Sequence, residues 1–129
     1  MNFQAFFIWV LRLVAAVLML QTLFFKFTGA EESIYIFTQV GMEPWGRIGS
    51  GVLELIASAL ILYPRTTHFG ALLGIGLMSG AIFFHLTKLG LEIQGDGGLL
   101  FFYASAVFVS CIILVIIFRE RLFTLFKKA

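Results

Sequence analysis

Pro44-Trp45-Gly46-Arg47-Ile48-Gly49-Ser50-Gly51-Val52-Leu53-Glu54-Leu55-Ile56-Ala57-Ser58-Ala59-Leu60-Ile61-Leu62-Tyr63-Pro64 is the stretch whose reading decides the fold. Pro44 suits the position just before or at the first turn of a helix, and Pro64 stops that helix from running past Tyr63. Residues 46–63 are close to the ~20 that carry a helix across a ~30 Å hydrocarbon core. In their middle stands one carboxylate, Glu54. A charge at that depth is costly, so Glu54 is expected to face the bundle interior or a partner, and it marks a candidate functional site. Arg47, Ser50, Gly51, Glu54, Ala57 and Ser58 recur at three- and four-residue spacing and share one small, polar face. Leu53, Ile56, Leu60 and Ile61 are expected mostly elsewhere.

Three further apolar stretches, 5–27, 69–88 and 99–118, are of similar length, and the last carries no charge between Gly97 and Phe118. The 129 residues leave room for one domain, 1–129. Hydrophobic residues make up 60% of the chain and charged ones 12%, against about 45–50% and about 25% in soluble domains. With a mean hydropathy of +1.03, most of the chain must have lipid as its solvent. Isolated strands would leave backbone groups unpaired there, so the spans must be helices. The expected fold class is all-α, an integral membrane four-helix bundle. A net charge of +2, with no basic patch interleaved with stacking aromatics, argues against nucleic acid as a partner. Cys111 stands alone in an apolar run, so there is no disulfide framework, no CxxC and no metal pair. It has no activating neighbour either.

Four spans put both termini on one side. That side collects Arg65, Arg119, Arg121, Lys127 and Lys128, against Lys26, Arg47 and Lys88 on the other, which also holds Glu31, Glu32, Glu43, Glu92 and Asp96. The positive-inside bias then predicts cytoplasmic termini in the inner (cytoplasmic) membrane. Thr28-Gly29-Ala30 loosely resembles a cleavage site, but no positive charge precedes Arg12 and Arg12 interrupts the apolar run, so an uncleaved first helix is expected. Residues 28–45 make a long hairpin connection in which Ser33-Ile34-Tyr35-Ile36-Phe37 is amphipathic. It predicts a short interfacial helix in the first extracytoplasmic loop, headed by acidic residues. Trp9, Tyr35 and Trp45 suit interfacial positions. Gln94-Gly95-Asp96-Gly97-Gly98 reads as a turn whose Asp96 caps the fourth helix. Arg119-Glu120-Arg121 and Lys127-Lys128 read as a membrane-surface anchor.

Helical geometry sorts the remaining polar residues. Arg12, Ala15, Ala16, Met19, Leu23 and Lys26 form a stripe on the first span, and His85 shares a face with Gly74, Met78, Ala81 and Lys88. Gly70/Gly74 and Gly76/Gly80 have the spacing that lets helices approach closely. Glu54 lies roughly 12 Å inside the outer end of its helix, with Lys26, Arg47, His85 and Lys88 within about a turn of that end. Arg12 lies roughly 20 Å from that end on the first span, so it meets Glu54 only by reaching upward, or else snorkels toward the cytoplasm. The ligand-binding candidates are Glu54, Lys26, His85, Arg12 and Arg47, around an outward-opening polar cleft. Against this stands a purely structural role, in which a Glu54–Lys26 or Glu54–Arg12 pair fastens two helices, His85 is a satisfied interfacial residue, and the serines bond their own helices.

Arg12-Leu13, Phe25-Lys26-Phe27, Gly46-Arg47-Ile48-Gly49 and Glu54-Leu55-Ile56, followed by Phe84-His85-Leu86 and Gly95-Asp96-Gly97-Gly98, resemble the DoxX-like family of small four-helix membrane proteins. The resemblance runs from Arg12 to about Ala106. It implies a bundle akin to the vitamin K epoxide reductase fold, with the family's polar residues at Arg12, Lys26 and Glu54. It also implies a range of roles, including quinone-linked oxidoreductase subunits, parts of membrane redox-defence complexes and receptor-assembly factors. The chain departs from the redox relatives in having no CxxC, which removes a dithiol mechanism.

Three functions follow as expectations. The first is binding of a quinone-like or lipid-like molecule, with Glu54, Lys26 and His85 on its polar head, or a role as accessory subunit of a membrane redox complex. The second is an assembly factor or structural subunit, with a membrane-protein partner or a homo-oligomer in the lipid membrane. The third is a small proton-coupled transporter. Its weakness is that small multidrug exporters carry the key Glu in the first helix, whereas here that helix holds Arg12 and Lys26, which would repel a cationic substrate.

Overall fold

A computed structural model of the chain describes residues 2–128, except for the side chains of Phe126 and Lys128. Helix α1 spans Phe3–Thr28, α2 Glu31–Gln39, α3 Trp45–Leu62, α4 Thr67–Phe84, α5 Leu99–Ile117 and α6 Arg119–Lys128. α4 continues into a widened π-helical turn, His85–Leu89. The helices are all-α architecture throughout the described residues, and α1, α3, α4 with its π turn, and α5 are each long and apolar enough to cross a membrane.

Local chemistry sets most of the helix ends. Asn2 accepts a hydrogen bond from the Ala5 N–H at 2.8 Å and so caps α1. Gly29 closes α1 with φ +70°, a conformation that a side chain would strain. Pro44 precedes α3, and extended Tyr63 followed by Pro64 ends it. The expected spans 5–27, 46–63 and 99–118 lie within about two residues of α1, α3 and α5, while 69–88 runs past α4 and through most of its π turn.

α1 and α4 each pack against both α3 and α5, which closes the four spans into a ring of sequence neighbours. Leu11, Ala15 and Met19 meet Ala57, Ile61, Ala71, Met78, Val107, Cys111 and Leu114 in the core. Ile61 is completely enclosed, on the same buried face of α3 as Glu54 and Ala57 rather than elsewhere, since seven residues make two helical turns. The two glycine pairs behave differently. A Cβ on Gly70 would lie 2.6 Å from the Ile61 nitrogen and 2.7 Å from the Ala57 oxygen, so α3 and α4 touch backbone to backbone there. A Cβ on Gly74 would meet Cys111 Sγ at 2.7 Å, whereas Gly76 and Gly80 have nothing within 4 Å. The bundle is therefore tight in the half nearer the chain termini and opens in the half nearer the α1–α3 and α4–α5 connections.

Outside the ring, Leu13, Val17, Phe24, Leu55, Ile56, Phe83, Phe102 and Val109 are exposed, the arrangement that lipid as solvent requires. α2 lies over the open half and contacts α1, α3 and the π turn. α6 turns back after Phe118 and buries Leu122, while Arg119, Glu120, Arg121 and Lys127 are exposed. The Lys128 side chain, part of the expected surface anchor, lies outside the described residues.

Candidate binding site at Glu54

Glu54 is 4% exposed and turns toward α1. Its Oε1 forms an ion pair with Lys26 Nζ, across 28 positions of sequence. The Thr22 hydroxyl lies 3.2 Å from Glu54 Oε2 and 2.9 Å from the Met19 carbonyl, so its one proton is divided between the two acceptors. Lys26 and Thr22 are one helical turn apart on α1, which is why both reach the same carboxylate. A lysine ammonium has three donors, and among the described residues Glu54 is the one acceptor Lys26 meets, leaving donor capacity for a ligand.

Arg47 holds this corner from outside. Its Nε lies 3.0 Å from both Glu43 carboxylate oxygens, and its Nη1 donates to the Lys26 carbonyl at 2.5 Å. It ties the C-terminus of α1 to the N-terminus of α3 and does not line the cavity described next.

Beside the ion pair is a cavity of about 550 Å³. Its walls are largely apolar, from Leu18, Phe25, Ile36, Leu77, Phe84 and Val107, with Glu54, Lys26, Thr22 and His85 among its polar groups. Gly76 and Gly80 line it too, so the space they leave empty is part of this cavity. His85 Nδ1 lies 3.0 Å from the Gly90 carbonyl. A carbonyl only accepts, so Nδ1 is the donor in this contact, and the Nδ1–H tautomer presents Nε2 as an acceptor. The edge of Phe101 holds the ring in place, with centroids 5.5 Å apart.

The rim carries two more carboxylates, Glu32 from α2 and Asp96 from the α4–α5 loop. Asp96 Oδ1 accepts from the N–H groups of Ile93 at 3.0 Å and Gly98 at 2.8 Å, and its Oδ2 accepts from Leu100 at 3.2 Å, closing the loop onto the start of α5. Burial alone would raise its pKa, but the N–H donors of Ile93, Gly98, Leu100 and Leu99 outweigh it and hold the carboxyl below its ordinary value. Glu32 is shifted the other way, upward, by burial and then by the charge of Asp96.

Of the residues singled out in the sequence, the structure brings Glu54, Lys26 and His85 to one cavity and leaves Arg47 behind it. Arg12 is also buried, but its guanidinium stacks over Trp9 at 4.6 Å and does not meet Glu54. Thr22, Glu32, Ser33 and Tyr103 line the cavity and were not singled out. Thr22 was within reach of sequence reasoning, since it stands four residues before Lys26. The contribution of α2 was not, because it depends on how a loop folds back.

The fold and this site define a class: a small four-helix integral membrane protein with a buried ion pair beside an apolar cavity. The chain matches the DoxX family model over residues 7–86, and it belongs to the DoxX family. The matched stretch includes Arg12, Lys26, Arg47, Glu54 and His85 and ends before Asp96 and α5. No curated protein and no solved structure gives a match.

Proposed function

We propose that this chain binds a lipophilic molecule with a polar head, quinone-like or lipid-like, between its helices, a role open to a free-standing binding protein or to an accessory subunit of a membrane redox complex. The observation that carries this reading is the buried Lys26–Glu54–Thr22 cluster beside a cavity of about 550 Å³. Such a volume suits a small ligand, and apolar walls with a few convergent polar groups are the usual form of a ligand site. Lys26 donates to a carbonyl on the head group, while Glu54 and His85 Nε2 accept from a hydroxyl. A site with donors and acceptors side by side accommodates a head that alternates between carbonyl and hydroxyl, as quinones do.

Native mass spectrometry with organic extraction tests this on detergent-purified wild type, Glu54→Gln and Gly80→Leu. The expected result is a defined lipophile in wild type that is lost from both variants. Wild type that is empty, and that takes up a short-chain benzoquinone no better than the variants do, would overturn it.

One observation favours a second reading. The Lys26–Glu54 pair joins α1 to α3, so it can act as a helix fastener in an assembly factor or structural subunit. That reading predicts that Glu54→Gln lowers stability with partner association intact, and that Gly80→Leu has no effect on any function. A proton-coupled exporter is less well supported, because Lys26 already occupies the carboxylate. The Lys/Arg bias supports cytoplasmic termini in the inner membrane, which a C-terminal reporter fusion reads directly.

A further inference from the structure

At the terminal end of the bundle, away from the Glu54 cavity, cationic and imidazole side chains gather with no buried acidic side chain beside them among the described residues. Arg12 on α1 is 5% exposed and His68 in the first turn of α4 is 4% exposed, and both Arg12 Nε and His68 Nδ1 are enclosed without a hydrogen-bond partner. Among the described residues Arg12 makes no ion pair, since both ion pairs there, Lys26–Glu54 and Arg47–Glu43, are at the other end. Its guanidinium lies 4.6 Å from the centre of the Trp9 ring and 5.8 Å from that of Phe118. Arg121 covers the same Phe118 ring at 4.7 Å and donates to the Pro64 carbonyl at 2.7 Å. It is close enough to act electrostatically on both Arg12 and His68. Of the seven acidic side chains, Glu120 alone belongs to this end, and it is exposed.

The start of α4 adds to the positive field. Thr66 gives no side-chain cap, and the hydroxyls of Thr66 and Thr67 donate back to the carbonyls of Leu60 at 2.8 Å and Ile61 at 2.9 Å. Among the described residues no side chain caps the first-turn N–H groups of α4. A buried charge normally has a partner, because leaving water unpaired is costly. Aromatic faces offset only part of that cost.

We propose that Arg12, Arg121 and His68 form a binding site for a phosphate group, presented by an anionic phospholipid. Two guanidinium groups and an uncapped helix start are the chemistry that recognises phosphate. The lipid source is favoured because Leu13 and Phe69, the direct neighbours of Arg12 and His68, are exposed apolar side chains beside which acyl chains can lie. This site is independent of the one at Glu54.

The test uses the full chain, delipidated in detergent, and compares thermal unfolding and native-mass-spectrometry retention with phosphatidylglycerol, phosphatidylcholine and inorganic phosphate. Phosphatidylglycerol is expected to raise the midpoint well beyond the effect of phosphatidylcholine. Arg12→Gln and Arg121→Gln are expected to weaken its binding by about tenfold each, the loss of one charge-assisted contact. Arg121 is exposed, so its variant keeps the test open if Arg12→Gln fails to fold. If inorganic phosphate reproduces the whole shift and Arg121→Gln abolishes it, the site holds with a soluble phosphate as its source. Equal effects of the two lipids, or a phosphatidylglycerol effect unchanged in Arg121→Gln, would overturn the proposal.

Discussion

Glu54 and Lys26 form an ion pair inside the bundle, with side-chain exposures of 5% and 16%, so each is enclosed against the other. Removing one leaves its partner buried alone. Glu54→Gln is therefore expected to destabilise the protein by about 3 kcal/mol, while Lys26→Met/Glu54→Met recovers most of that loss, since an apolar pair of similar volume needs no compensation. A double-mutant cycle in denaturant checks it, and additive single effects would contradict the pairing. Asp96 sets an acid limit for the loop it closes. Its folded pKa lies below the ordinary 3.8, so the native state binds fewer protons there. Its contribution is fully present above 3.8 and is lost as pH falls through the folded value. The unfolding midpoint is expected to fall as the pH is lowered below about 3.8, and less so in Asp96→Asn. Glu32 has the opposite sign, because its pKa is raised above 4.5 by burial and by Asp96. Its contribution is present below 4.5 and lost as pH rises through its folded value, so Glu32→Gln is expected to stabilise the protein at neutral pH by roughly 0.5 kcal/mol.

At the scale of the elements, α4 does two jobs along one helix. Its first half is pressed against α3, and its second half leaves room. Gly70→Ala places a methyl group against the backbone of Ile61 and Ala57, which cannot yield without moving a helix, and is expected to destabilise by about 1–3 kcal/mol. Gly80→Ala meets open space and is expected to be neutral or slightly stabilising, since Ala is the better helix former by about 1 kcal/mol. Thermal unfolding of the two variants side by side separates these outcomes. The four-residue glycine spacing is the same in both pairs, so spacing alone does not tell a contact from a gap. α2 likewise does more than rest at an interface. Its Glu32, Ser33, Ile36 and Phe37 line the cavity, so it forms part of the wall. The π turn at His85–Leu89 was not legible either, although it brings Gly90 within reach of His85 Nδ1.

Across the whole molecule, the bundle is solid at the terminal end and hollow at the other. Hydrogen exchange in detergent is expected to be slower at residues 70–75 than at residues 80–89, because the second group borders the cavity and the widened turn. Uniform protection along α4 would contradict this asymmetry. The four spans, the proline limits of α3 and the burial of Glu54 were legible in the chain, because span length, hydropathy and helix-end chemistry act within a few residues and lipid forces every span to be helical. The choice of Lys26 over Arg12 as the partner of Glu54 was left open, since both lie on the same stripe of α1. That choice depends on how far α1 is shifted and rotated against α3, which is set by packing such as Phe27 against Gly51 and by the Arg47 clamp on the Lys26 carbonyl. The sequence by itself thus determined a four-helix membrane bundle with a carboxylate buried in it. Only the tertiary structure decided which cation meets that carboxylate, where the cavity opens, and that Arg12 belongs to the opposite end, because each of these is a relation between helices that no single helix encodes.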